Sequence, residues 1–438
     1  MKKLIFTFSL LISINGIAQK NLQFTSIDSL FLYSENHSLS IKNGEEQTLL
    51  AKWTKLAALG NTINLRSPIS ASWTDNTELP VNYVPSEFFG GPAGTYKPLS
   101  FGQEYLTNYS ITPQIDIINL ANWTKIKSAS INEKLTETTN LLIKKNTFES
   151  IAAAYYNIIS MQEQIVSIKE NILAADSISN IVNNKFNQGI VREQDKNNAT
   201  INLLNVKDKY NQLISTLEQQ YYSLKLLCDM DQSTIISISQ KSIDNEAISA
   251  TLTCKSSLLD KQSKLQTDYL RSELRSSRMS TFAPVVSFIF NQSWQESSNI
   301  GFFDSNANKY GTQYFGLKVT VPLPFDVSKL SQNYITKINY AISKNNSLHG
   351  ALQNQVTDKQ LELDYQKALS TQLTTKQIKE LKDLNYSKSM NQYVEGILST
   401  ENLLLSFNDK INAQLNYISA SSTLQFIQTK IKINNTIQ

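Results

Sequence analysis

The sequence is poor in the residues around which most enzymes and metalloproteins are built. Its 438 residues include two histidines and two cysteines. His37 and His349 stand alone, with no Cys, Asp or Glu at ligand spacing, so no metal site is expected. No phosphate-cradling glycine loop, dinucleotide glycine pattern, nucleophile elbow or paired-carboxylate setting occurs, and the chain is expected to be no enzyme and to carry no cofactor. Charged residues make up only 18%, below the roughly 25% of ordinary soluble domains. Asn, Gln, Ser and Thr fill the deficit, as suits surfaces facing a water-filled lumen. The formal net charge is +4 and no basic stripe is present, which removes nucleic acid as a partner. Past the N-terminus no apolar run approaches the roughly eighteen residues of a membrane-spanning helix. A membrane crossing then has to be a closed β-barrel, because open sheets leave backbone groups unpaired in lipid.

The N-terminus is of another kind. Lys2 and Lys3 precede an apolar stretch, Leu4 to Ile14, and Gly16-Ile17-Ala18 places small residues before Gln19. This predicts a cleavable secretory signal over residues 1–18, with no cysteine after it to carry a lipid anchor. In an oxidising compartment Cys228 and Cys254 can bridge, which would contribute roughly 3 to 4 kcal/mol on the chain-entropy model. Two buried thiols are the other reading.

The remainder contains one plan twice. Phe186-Asn-Gln-Gly189-Ile-Val is echoed 207 residues later by Tyr393-Val-Glu-Gly396-Ile-Leu, and Gln114-Ile-Asp-Ile117 is echoed at an offset of 204 by Lys318-Val-Thr-Val321. The first repeat is placed at 19–235, with strands over about 62–74 and 101–118 and long helices over about 120–188 and 191–228. The second is placed at 236–438, with strands over about 284–296 and 311–322 and long helices over about 326–395 and 398–432. Each strand alternates. Ile63, Leu65, Ile69, Ala71 and Trp73 oppose Asn64, Arg66, Ser70 and Ser72. Tyr105, Tyr109, Ile111, Ile115 and Ile117 oppose Glu104, Asn108, Ser110, Gln114 and Asp116. Val286, Phe288, Phe290 and Trp294 oppose Ser287, Asn291 and Ser293, while Phe315, Leu317 and Val319 oppose Lys318 and Thr320.

Alternation over ten or more residues with aromatics near the ends fits a lipid face and a wet face, which makes Glu104, Asp116 and Lys318 candidates for the lumen. Asp75 to Lys97 reads as a long Pro/Gly-rich loop with exposed aromatics Tyr83, Phe88 and Phe89. A soluble sandwich would also alternate, but four long strands are few for one. Nor can four strands close a barrel, so several chains must contribute if the strands cross a membrane.

Between Lys125 and Gly189, and between Lys329 and Gly396, there is no proline, and sixty-odd helical residues give roughly 90 to 100 Å. Ile151, Ile158, Ile165 and Ile172 recur at seven, with Ala154, Met161, Ile168, Ala175 and Val182 three residues after each step, an a/d seam. Gly189 and Gly396 can take the left-handed conformation that reverses a helix. Shorter lead-in helices, about 40–59 and 257–279, precede the first strand of each repeat.

These residues resemble the TolC family of outer-membrane efflux proteins over nearly the whole mature chain. The resemblance rests on Ala152-Ala-Ala-Tyr-Tyr-Asn157, Phe186-Asn-Gln-Gly-Ile-Val-Arg-Glu-Gln-Asp195, Val319-Thr-Val-Pro-Leu323 and Tyr393-Val-Glu-Gly-Ile-Leu-Ser-Thr-Glu-Asn-Leu-Leu404, in that order. It implies an α+β membrane protein with two internal structural repeats: a homotrimer with a 12-stranded β-barrel, four strands per chain, in the outer membrane, and a long α-helical barrel in the periplasm. A mixed belt from the N-terminal stretch, Asp229 to Cys254 and the C-terminus would circle the helices. The implied role is the exit duct of a tripartite efflux or type I secretion system, docked to a periplasmic adaptor and an inner-membrane RND or ABC-type transporter.

By resemblance Asp195 and Tyr393 match a pair that holds the periplasmic tip closed. The position two after Gly396 is Leu398 where the familiar pattern has Arg, and the positions of acidic rings in some members are Asn402 and Leu405. Adaptor hairpins are expected at Gly189, Ile190, Val191, Gly396, Ile397 and Leu398, the hydrophobics of which can equally pack the turns. A rival reading from another class is a surface coiled-coil adhesin without transport activity, its strands forming a soluble head.

Overall fold

The computed structural model describes residues 21–63, 68–239, 257–323 and 325–437. The signal segment 1–18, Asn64, Leu65, Arg66 and Cys254 lie outside these. Two compact units cut across the two sequence repeats: one gathers 1–46, 138–259 and 351–438, the other 47–137 and 260–350.

In the first unit, β1 (Asn21–Phe24) pairs in parallel with β7 (Ile235–Ile238), and α1 (Ile27–His37), capped by Ser26, packs beside them. Phe24, Leu30 and Phe31 meet Ile151, Tyr155 and Ile158 of α3 (Leu120–Asn187), Leu224 and Cys228 at the end of α4 (Glu193–Leu227), and Ile433 of α7 (Thr400–Thr436). The N-terminal stretch, the segment after Asp229 and the C-terminus thus close one core around α3. Ile151, Ala154, Ile158, Ile168, Ala175 and Val182 of the heptad seam are buried. A second core joins the lower seam to Leu203 and Val206 of α4, Tyr393 of α6 (Val327–Val394), and Leu403, Phe407 and Ile411 of α7. Long helices bury their apolar stripes on one another here, which supplies more of their stability than propensity does.

The second unit holds the sheet and four helical segments. β2 (Ile69–Asp75), β5 (Tyr105–Ile111) with β6 (Gln114–Asn119), β8 (Val285–Ser298) and β9 (Asn308–Thr320) form an antiparallel sheet in that order. The helices α2 (Leu39–Ile63) and α5 (Leu258–Phe282) lead into β2 and β8. Against the opening of α3, α5 packs through hydroxyls: Ser128 Oγ donates to Ser272 Oγ at 2.9 Å, and Ser276 Oγ to the Ala121 carbonyl at 3.1 Å.

Three details depart from the sequence expectation. Thr62 and Ile63 finish α2 and do not start a strand, which opens only at Ile69 after Pro68. The expected strand over 101–118 is two strands, because Pro113 has no N–H for the ladder. The register runs on unchanged across it, Ile111 opposite Gln292 and Gln114 opposite Ile289, and Phe290 N–H still donates to the Pro113 carbonyl. Finally, the loop after β2 is not featureless. β3 (Val81–Pro85) and β4 (Tyr96–Ser100) form a hairpin, joined through a one-turn helix at Ser86–Phe89, with Tyr83, Phe88 and Phe89 exposed.

Candidate functional site

Two places gather the candidate residues, one in each unit. In the sheet, register decides which side chains share a face, since directly opposed residues project the same way. Asp116 opposes Ser287, and Ser287 opposes Lys318. The two charged candidates thus share one row. Ser70, Ser110, Ser293 and Thr312 form another row on the same face, with hydroxyl contacts of 2.7 Å between Ser70 and Ser110 and 2.6 Å between Ser293 and Thr312.

The reverse face is apolar from Val286 opposite Val319, through Phe288 opposite Leu317 and Phe290 opposite Phe315, to Trp294 beside Tyr109. Val286 to Trp294 is nine residues, the length a tilted strand needs to cross a bilayer. Trp73 and Tyr109 meet edge to face at 6.2 Å, and beyond them Glu296 and Lys309 pair at 3.1 Å. Gln292 opposite Gln313 interrupts the apolar band.

Asp116 is almost buried and acts as an acceptor hub. Ser287 Oγ donates to Oδ1 at 2.8 Å, Gln114 Nε2 to Oδ1 at 3.3 Å, and Asn119 Nδ2 to Oδ2 at 3.1 Å. These bonds brace a bulge at Ile117, where the register slips by one and the strand turns toward α3. Lys318, on β9, is exposed. Glu104 lies one residue ahead of β5, in the loop, where its carbonyl accepts from Asn76 N–H at 2.8 Å. Among the described residues, β2 bonds only to β5 and β9 only to β8, so both outer edges of the sheet are open.

The other place is the pair of glycine turns, both in the first unit. Gly189 has φ of +73° and Gly396 of +79°. At the first turn Gly189 N–H donates to the Phe186 carbonyl and Ile190 N–H to Lys185; at the second Gly396 N–H donates to Tyr393 and Ile397 N–H to Gln392. Every partner is displaced by the 207-residue offset, and the bonds are those of a Schellman-type helix end. The following helix starts differ in an informative way. Asp195 Oδ2 accepts from the Arg192 backbone N–H at 3.1 Å, whereas Ser399 Oγ accepts from the Asn402 N–H at 3.3 Å. Each start therefore uses the opposite half of a capping box, with Asp195 and Asn402 in corresponding positions.

Tyr393 is buried in the tip core, its hydroxyl 3.2 Å from Thr400 Oγ1. Burial first, and the Asp195 charge after it, raise its phenol above the ordinary pKa, while the Thr400 contact works the other way. Asp195 and Tyr393 are thus neighbours electrostatically, although each is hydrogen-bonded elsewhere. Val191 and Leu398 pack onto the core, and Ile190 and Ile397 stand out at 63% and 72% exposure. Asn402 and Leu405 are exposed on α7.

Lys185 carries no signal at the level of sequence. Its Nζ donates to the Tyr393 carbonyl at 2.6 Å and lies 4.1 Å from the centre of the Tyr393 ring. Cys228 is a buried free thiol, pushed up to about 12 by burial and then by Asp229; its proposed partner Cys254 lies outside the described residues.

No family model matches the sequence, and no curated protein does either. Solved structures do match. The outer membrane protein VceC from Vibrio cholerae is 14% identical with a TM-score of 0.71, over 94% of this chain and 95% of that one. The outer-membrane channel OprN is 12% identical with a TM-score of 0.73, over 93% and 89%. The Campylobacter jejuni CmeC outer membrane channel is 16% identical with a TM-score of 0.69, over 93% and 85%.

Proposed function

We propose, from a fold shared with TolC-like outer-membrane channels, that this chain is one subunit of an outer-membrane exit duct. The observation that carries the reading is the two-faced sheet with two open edges. One face offers hydroxyls, amides and two charges; the other offers an apolar band from Val286 to Trp294, broken at Gln292 and ending in Trp73, Tyr109 and Trp294. A soluble head would have to cover that band or leave it in water, at about 25 cal/mol per Å². Lipid covers it without cost, and the polar face then lines the bore.

Both edges need partners, since a bare edge in hydrocarbon costs several kcal/mol per unpaired group. Three copies, each giving four strands, make a twelve-stranded barrel, in which β9 of one copy bonds to β2 of the next. The long helices of three copies would line a periplasmic tunnel. The exposed apolar residues along α6, among them Ile338, Leu352, Val356 and Leu363, supply surface for those contacts.

The glycine turns are the inner mouth. Resting closure rests on the tip core around Tyr393, and opening is a shift between two packings, biased by whichever one the adaptor binds better. Docking falls to Ile190 and Ile397, the turn residues that project outward, while Val191 and Leu398 hold the turns together. An inner-membrane RND or ABC-type transporter supplies the energy.

Purified mature protein reconstituted in planar bilayers tests the reading. Stable large-conductance openings and a heat-modifiable oligomer on gels are expected. A monomer that stays out of detergent micelles and never conducts would favour the adhesin instead. Cross-linking from cysteines placed at Ile190 and Ile397 should capture an elongated periplasmic adaptor.

A further inference from the structure

The polar face of the sheet is nearly free of charge. Among its paired positions only Asp116 and Lys318 are ionisable at neutral pH; the others are hydroxyl, amide, tyrosine, small or aliphatic. The Ser70–Ser110–Ser293–Thr312 row is wholly hydroxyl, and its outward neighbour is Ser72, Asn108, Gln295 and Tyr310. Neither row discriminates by sign of charge.

Asp116 and Lys318 are opposite in sign and lie in one row, but they are not equivalent to a solute in the bore. Strands are about 4.8 Å apart, so the two are roughly 10 Å from each other, which is a Debye length at about 0.1 M salt. Asp116 is 8% exposed and its carboxylate is turned to Ser287, Gln114 and Asn119. Lys318 is exposed and makes no ion pair among the described residues. The carboxylate is spent on bracing the strand; the ammonium is presented to water.

We infer that Lys318 is the charge-selecting residue of the barrel, giving this stretch of the duct a preference for anionic solutes. The inference rests on the duct reading above. Repeated once per copy, Lys318 forms a ring of positive charge in a wall whose other paired charge, Asp116, is buried and held by Ser287, Gln114 and Asn119. Low-dielectric walls focus such a field.

Reversal potentials across a KCl gradient test it in reconstituted channels. Lys318→Gln should lower the chloride-to-potassium permeability ratio by about two- to fivefold, the size expected when a charge interaction of roughly 0.5 to 1 kcal/mol is lost. Lys318→Glu should move it further in the same direction, and Asp116→Asn should move it less than Lys318→Gln does. Heat-modifiable migration of each variant shows that the barrel still assembles. Equal reversal potentials for wild type, Lys318→Gln and Lys318→Glu overturn the inference and leave the duct standing. A wild-type protein that never conducts overturns both.

Discussion

The ammonium of Lys185, in the last turn of α3, closes on Tyr393 in the last turn of α6, donating to its carbonyl oxygen at 2.6 Å and covering its ring at 4.1 Å. One side chain thereby joins the two glycine turns. The carbonyl is at the negative end of the α6 dipole, where a cation is favoured. A hydrogen bond from a charged donor contributes roughly 1.5 to 3 kcal/mol, and the ring adds about 0.5 to 1 kcal/mol.

Lys185→Met keeps the apolar stem and removes the donor and charge. It should weaken the junction by about 2 to 4 kcal/mol and speed amide exchange over Tyr393 to Thr400 at least several-fold. Lys185→Arg should restore most of the protection. Unchanged exchange in Lys185→Met would show that the second turn is held by its apolar core alone.

Tyr393→Phe leaves the ring and takes away only the contact to the buried Thr400 hydroxyl, at a cost of about 1 kcal/mol. Asp195→Ala removes the acceptor that caps the start of α4, a loss of similar size. In bilayers each should raise basal conductance. If neither does so, closure of the mouth does not run through these residues.

Cysteine placed at Asp116 or Lys318 should react with membrane-impermeant thiol reagents in intact cells, Lys318 faster because it is exposed and Asp116 is not. Cysteine at Phe315 or Ile115, on the opposite face, should be protected by lipid. Protection of Lys318 equal to that of Phe315 would sink the assignment of the two faces.

The native thiol should not interfere. Cys228 is fully buried with its pKa near 12 against 9.0 for a free thiol, so it is neutral and shielded at pH 8. A thiol raised in the folded state stabilises fully below the unfolded pKa, and its contribution fades as pH rises from about 9 toward 12. Alkylation of native protein should therefore be slow, and in denaturant without reductant it should be fast. Resistance in denaturant that disappears with a reductant would establish a bridge to Cys254.

Some of this architecture was legible because it repeats a simple period. Alternation at two marks Val286, Phe288 and Phe290 apart from Ser287 and Asn291 whatever their neighbours, and a seven-residue seam from Ile151 to Val182 needs only counting. The two glycines stood out because each ends a long proline-free stretch. The break at Pro113 was also written in the chain, but uninterrupted parity on either side of it hid the missing donor. The β3–β4 hairpin was masked by a run of prolines and glycines that reads as loop. Lys185 was invisible for a different reason. A lysine near a helix end ordinarily faces water, and only three-dimensional proximity gives it Tyr393 as a partner. The same holds for Asp116, whose sequence position announces a polar face but not its bonds from Ser287, Gln114 and Asn119.

A sheet with two raw edges makes its carrier genetically vulnerable. Under the proposed assembly no copy can finish its own wall, so a proline set into β2 or β9 of one gene copy would spoil the ring for sound siblings as well. Such an allele should be dominant, and a cell expressing both forms should lose far more intact ducts than half.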